Sequence, residues 1–268
     1  MTRLVDLRLR TVSSVTAGDL SGTCNLTRLD LSGCCRLTPG ALAGKTKLQH
    51  LRLQQCDTAG DATGPAQLLS HLERMQQLTH LDVQGSFRFW VGRTPSAAYS
   101  ALTASSKLCH LDVSGCMLPA DVWDHVFHAG RQLLQLQSLN VACVTQPSGS
   151  AAVAPEGSSR VSCCPDLQSL DIRALQCSTE LLAPLQVLST LHTLRLFDDD
   201  LWTAAAVVPT VCQLTGLREL NLGCISITEE GLILLQLTQL QQLTALEYTG
   251  PLDGEHTSIH LTNKVSDT

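Results

Sequence analysis

Leucines recur along the chain in a fixed arrangement. The pattern Leu-x-x-Leu-x-Leu starts at Leu4, Leu26, Leu48, Leu78, Leu108, Leu136, Leu167, Leu191, Leu217 and Leu243, at intervals of 22, 22, 30, 30, 28, 31, 24, 26 and 26 residues. The best copy is Leu26-Thr27-Arg28-Leu29-Asp30-Leu31-Ser32-Gly33-Cys34. Leu48 to Cys56 and Leu108 to Cys116 repeat it, with Val113 in the third leucine position. Side chains of an extended chain alternate sides, so each copy predicts a short strand with its leucines inward and the residues between them outward. One such turn cannot bury its apolar row alone. Ten of them stacked make a continuous core and a parallel sheet along one curved wall.

At the end of each good copy a cysteine turns the chain inward, where a small polar side chain satisfies buried backbone groups. The second half of the unit is clearest at Arg36 to Leu42 and at Ile225 to Leu232. Thr228, followed by Glu229, Glu230, Gly231 and Leu232, has the form of a helix start with threonine as N-cap. With these residues the chain resembles the leucine-rich-repeat family, and the cysteines resemble its cysteine-containing class, found in F-box substrate receptors of ubiquitin ligases and in ribonuclease-inhibitor-like proteins. Cys34, Cys56 and Cys116 hold the motif position. The resemblance covers residues 4 to 250 and implies an α/β fold: a curved horseshoe with a parallel sheet on its concave face and helices or irregular returns on its convex face. No F-box-like helical segment precedes Leu4, and no polar N-terminal cap is visible, so a ligase role implies another subunit or a longer product.

The period is broken at Asp57 to Gln67, Ser86 to Ala98 and Val144 to Arg160. The last is rich in Gly, Pro, Ser and Ala and reads as a flexible surface loop. The expected organisation is one repeat domain over residues 1–250, with a flexible insertion at 144–160, and a polar tail over 251–268. Thr257 to Leu261 is the one tail segment with the look of an added edge strand.

Composition narrows the function classes. Aromatics make up only 3% of a chain that is 44% apolar, so the core is aliphatic. The net charge of −6 comes from scattered carboxylates, and no Lys/Arg cluster is present to follow a phosphate backbone, which argues against nucleic acid. No run of about 18 apolar residues occurs, which argues against a membrane span, and the start has no signal-peptide apolar region. The expected location is the cytoplasm, with the nucleus, cytoskeleton or cilium as variants. The 12 cysteines then read as reduced thiols. No Cys-x-x-Cys occurs, and the adjacent pairs Cys34-Cys35 and Cys163-Cys164 suit neither zinc nor an ordinary disulfide, so no metal or other cofactor is expected.

The candidate partner surface follows from the repeat frame. The outward third position reads Arg28, His50, His80, His110 and Ser138, and the fifth reads Asp30, Arg52, Asp82, Asp112 and Asn140. In neighbouring turns the same position stacks about 4.8 Å apart, so three histidines form a ladder beside carboxylates. Such a patch suits pH sensing or metal binding; the plain alternative is repeat-copied polar residues on an exposed strand. A second candidate is Phe87, Arg88, Phe89 and Trp90, with Arg93, since aromatic and arginine side chains anchor interfaces; the plain alternative is a loop folded back over the solenoid edge. Asp198, Asp199 and Asp200 lack the ligand spacing of a calcium loop and read as a solvated turn. His125 and His128 share a face of an expected helix over Asp121 to Ala129 and read as partly buried. No phosphate loop, dinucleotide glycine pattern or Gly-x-Ser-x-Gly occurs, and Cys109 and His110 alternate to opposite faces, so no enzymatic activity or small-molecule substrate is expected. The resulting expectation is a protein-binding scaffold, with a substrate-recognition role in ubiquitination as one version and a structural role in a cytoskeletal or ciliary (axonemal) assembly as the alternative.

Overall fold

A computed structural model describes residues 3–34, 36–56, 64–87, 94–128, 130–146, 163–173, 185–197, 204–223, 236–237, 239–249 and 258–262. Each of the ten leucine motifs begins a strand two residues downstream. These are β1 (Asp6–Arg8), β2 (Arg28–Asp30), β3 (His50–Arg52), β4 (His80–Asp82), β5 (His110–Asp112), β6 (Ser138–Asn140), β7 (Ser169–Asp171), β8 (Thr193–Phe197), β9 (Glu219–Gly223) and β10 (Ala245–Thr249). They lie in chain order in one sheet, and neighbours among the ten are parallel. The register matches motif to motif: Leu29 faces Leu51, Leu51 faces Leu81, and Leu81 faces Leu111. The leucines therefore form continuous buried rows, the arrangement that a single turn cannot supply. In the first turn, Leu4, Leu7 and Leu9 are only partly buried against that core, because they are packed from one side.

Strand β11 (Ser258–Thr262) pairs antiparallel with β10. The added strand expected at Thr257 to Leu261 is thus present, one residue along. The remainder of the polar tail lies outside the described residues, as do residues 147–160 of the 144–160 insertion, 57–63 of the first insertion, and the expected helix start at Thr228.

The return segments are short. Helix α1 (Gly64–Glu73) buries Leu68, Leu69 and Leu72, spaced to share one face, while Pro39–Leu42 and Ser96–Thr103 form tighter 3-10 turns. Helix α2 spans Val122–Val126, shorter than the expected Asp121 to Ala129. It stops because Phe127 leaves helical dihedrals, at φ −111 and ψ 58, and its side chain joins the core. Helix α3 (Ala204–Val211) carries Pro209 and packs Val207, Val208 and Val211 inward.

Two devices recur after the strands of the first six turns. The residue seven places after the first leucine is left-handed: Thr11, Gly33, Gln55, Gly85, Gly115 and Cys143 all have φ between 51 and 74. In four of these turns the next residue points a polar atom back at the preceding turn, whereas Val12 and Val144 hold that place after Thr11 and Cys143. The Sγ atoms of Cys34, Cys56 and Cys116 donate to the carbonyls of Leu9, Leu31 and Val83 at 3.2, 2.9 and 3.1 Å, and Ser86 Oγ donates likewise to Leu53. These cysteines are therefore backbone-satisfying elements of the fold.

Candidate functional site

Strands β1 to β6 project two rows of polar side chains from the concave wall. In the first row, register pairs Asp6 with Arg28, Arg28 with His50, His50 with His80, His80 with His110, and His110 with Ser138. The three imidazoles stack, with ring centroids 4.1 Å apart for His50 and His80 and 4.2 Å for His80 and His110, and interplanar angles of 23°.

The stack is held in the neutral form. Desolvation depresses the basicity of His50, His80 and His110, and the neighbouring histidines and Arg28 add to the effect at His80, which falls to about 4. Carboxylates beside an imidazole raise its basicity, and the sequence places several beside this column. Among the groups that shift His50, Asp6 does act in that direction, but burial and Arg28 outweigh it. Thr79 Oγ1 lies 2.8 Å from His80 Nδ1 and fixes the central ring.

The second row has a structural duty that the sequence reading missed. Asp30 Oδ1 accepts from Ser32 N at 3.1 Å and Ser32 Oγ at 2.6 Å; Asp112 Oδ1 accepts from Ser114 N and Oγ at 2.9 and 2.6 Å. Asp82 accepts from Gln84 N, Asn140 from Ala142 N, and Asp171 from Arg173 N. Each caps the turn after its strand, and the Asp-x-Ser spacing at 30–32 and 112–114 was the available signal. The other carboxylate oxygens are taken by basic or amide partners. Asp30 pairs with Arg10 at 2.7 Å, Arg52 lies 3.1 Å from Asp82 and 4.0 Å from Asp30, and Asn140 donates to Asp112 at 2.9 Å. Hydrogen bonds from Ser32 and Arg10 hold Asp30 below the usual carboxylate range despite an opposing burial cost, whereas burial pushes Asp82 above it. Asp30 is consequently a buried residue, a correction to its expected exposure.

Arg28 differs from the other arginines of this wall. It is exposed, its strand neighbours are Asp6 and His50, and no carboxylate lies within ion-pair distance of it among the described residues. Asp6 is engaged instead by Arg8 at 3.4 Å. Arg28, His50, His80, Arg52 and Asp82 line a shallow pocket of about 270 Å³.

The aromatic candidate is corrected in part. Phe87 is 0% exposed, with φ of 64, and packs edge-on against Tyr99 at 5.9 Å between ring centroids, so it belongs to the core and offers no surface anchor. Arg88, Phe89, Trp90 and Arg93 lie outside the described residues, as does the acidic run Asp198 to Asp200. His125 is half-buried, 3.7 Å from Asp121, and His128 is exposed. Cys109 turns its sulfur to the Lys107 carbonyl at 3.3 Å. Among the described residues no three His, Cys, Asp or Glu side chains converge as a metal site, and no helix is long and apolar enough to cross a membrane.

No family model matches the chain, and no curated protein matches it in sequence. Solved structures do match its fold. An internalin from Listeria monocytogenes superposes with a TM-score of 0.62 at 19% identity, covering 92% of this chain and 61% of that one. A chain of the mouse RP105/MD-1 complex superposes with a TM-score of 0.51 at 16% identity, covering 92% of this chain and 42% of the other. The chain thus spans less than two thirds of the length of either. At such identities the likeness concerns the fold alone, which is an α/β leucine-rich-repeat solenoid with its parallel sheet on the concave wall.

Proposed function

We propose that this chain is a non-catalytic interaction scaffold that binds a partner protein on its concave wall, across Arg28, His50, His80 and His110, with Asp30, Arg52, Asp82 and Asp112 fixing the wall beneath. The observation that carries this reading is the exposed Arg28, with no carboxylate in ion-pair reach among the described residues, at the head of a stacked imidazole column. Arginine and flat rings give contact area with little entropy to lose, because the stack is already ordered. A solenoid offers its concave sheet for such contacts, and one of the structures with this fold is itself a complex of two named proteins. The finer version, a substrate-recognition module of a ubiquitin ligase, is supported by the cysteine ladder at Cys34, Cys56 and Cys116. The alternative, a structural component of a cytoskeletal or ciliary assembly, is separated from it by the identity of the partner.

The test is affinity capture with the wild-type chain and with Arg28→Glu combined with His110→Ala. These positions carry no turn-capping bond, unlike Asp82 and Asp112, so the variant keeps its circular dichroism. Loss of partners by the variant supports the reading. Capture of the same set by both forms would falsify it.

A further inference from the structure

Among the described residues, the buried cysteines fall into two chemical groups. Cys34, Cys56 and Cys116 are buried, and each donates to a backbone carbonyl of the preceding turn. Cys163 and Cys164 instead point their sulfurs at each other, 3.4 Å apart. Their places in the turn explain why both reach one spot. Cys164 stands three residues before Leu167, the inward place that Leu133, Leu188 and Leu214 fill before Leu136, Leu191 and Leu217. Cys163 stands one earlier, where other turns present exposed residues such as Gln132 and Val187. Here both are buried, Cys163 less completely, at 8% exposure against 1% for Cys164.

The separation selects a ligand. An atom bonded to both sulfurs at about 2.3 Å, the length of a zinc–thiolate bond, subtends an S–M–S angle of about 95° across this gap, whereas a tetrahedral ion would set the sulfurs about 3.8 Å apart. Zinc also requires further ligands, and none converge here among the described residues. A soft, pyramidal, three-coordinate centre has bond angles near a right angle and needs only two sulfurs when its third bond is already filled. We propose that Cys163 and Cys164 form a dithiol site for trivalent arsenicals, separate from the concave wall.

Capture is stepwise. The hydrogen bond from Cys164 favours the Cys163 thiolate, outweighing its burial, while the same contact and burial push Cys164 up. Cys163 attacks first, and Cys164 then closes the ring. With an arylarsine oxide, two S–H bonds and the arsenic–oxygen bonds break, two arsenic–sulfur bonds form, and the oxygen leaves as water with both thiol protons. Arsenic stays trivalent, so no oxidant or reductant is needed.

The test mixes the reduced full-length chain with one equivalent of phenylarsine oxide under native mass spectrometry. The expected result is one adduct per chain that survives excess glutathione, a monothiol, and is removed by 2,3-dimercaptopropanol. Cys163→Ser and Cys164→Ser each reduce retention against glutathione at least tenfold, and Cys34→Ser leaves it unchanged. Cys163 occupies a place where other turns carry exposed residues, so its variant remains informative even where Cys164→Ser fails to fold. Absence of an adduct on the folded chain, or equal retention by Cys163→Ser, overturns the site.

Discussion

His80 and His110 are cross-strand partners whose rings stack 4.2 Å apart, and His50 covers the other face of His80 at 4.1 Å. The central ring therefore loses water on both sides, and a proton there meets two imidazoles and Arg28. Its folded pKa of about 4 lies below the ordinary value near 6.5. Between these values the unfolded chain binds the extra proton and the folded chain does not, so stability is complete above about pH 6.5 and declines as pH falls toward 4. Discounted for the ring's remaining exposure, the loss is about 1 kcal/mol. His80→Gln removes this contribution: the variant is less stable than wild type at pH 8, and the gap narrows by pH 4.5. Urea melts at both pH values measure it, and an unchanged gap would show that the column carries no proton linkage.

The strands and their order were legible in the sequence, and the division of labour on the concave wall was not. Strand position follows from local alternation, so every motif leucine foretells a strand two residues on, down to the register of Leu51 against Leu81. The histidine column followed from the same frame. Capping by Asp30 and Asp112 was hidden because an aspartate in an outward place looks identical whether it faces solvent or folds onto its own turn. Phe87 was misplaced for a related reason: a left-handed φ reverses the direction of a side chain, and a phenylalanine gives no local sign of that conformation. The antiparallel direction of β11 depends on how the chain returns, which alternation does not encode.

Gln55 and Gly115 occupy the same left-handed place in their turns, with φ of 51 and 63. A Cβ costs about 1–2 kcal/mol in this region, part of which glycine gives back as unfolded-state entropy. Gln55 is exposed and its side chain packs nothing in the core, so Gln55→Gly stabilises the fold by roughly 0.5–1 kcal/mol. At Gly115 an added Cβ meets Gly85 Cα at an ordinary 3.7 Å, so Gly115→Ala pays the conformational cost alone and destabilises by about 1 kcal/mol. Paired chemical denaturation should give opposite signs; a shared sign would mean that backbone conformation does not control this place.

Cys116 is buried, and desolvation, helped by Asp112, pushes its thiol up, leaving little thiolate. Iodoacetamide at pH 8 should therefore leave Cys116 unmodified in the folded chain while alkylating the exposed Cys24 and Cys143. Cys116→Ser preserves the donor to Val83, as Ser86 does naturally for Leu53, and should stay within about 1 kcal/mol of wild type. Peptide mapping by mass spectrometry, read before and after unfolding, distinguishes a ladder thiol from a reactive one.

Lys45 stands three residues before Leu48, the inward place held by Met75, Leu133 and Leu188 in other turns. It is 3% exposed, and its ammonium donates to the Leu20 carbonyl at 2.7 Å. That bond recovers only part of what a buried ammonium loses in water, because an ammonium has three donors to satisfy. Thr23, in the same place one turn earlier, already donates to the same carbonyl at 2.8 Å, so the acceptor does not depend on Lys45. Lys45→Met keeps the long unbranched stem, removes the desolvated charge and leaves Leu20 satisfied. It should stabilise the fold by about 1–2 kcal/mol, and Lys45→Ala should destabilise it by a similar amount through the void left by the stem. Denaturation midpoints of the two variants decide the matter: if Lys45→Met falls below wild type, the ammonium supports the first turns of the solenoid through contacts that its stem alone cannot replace.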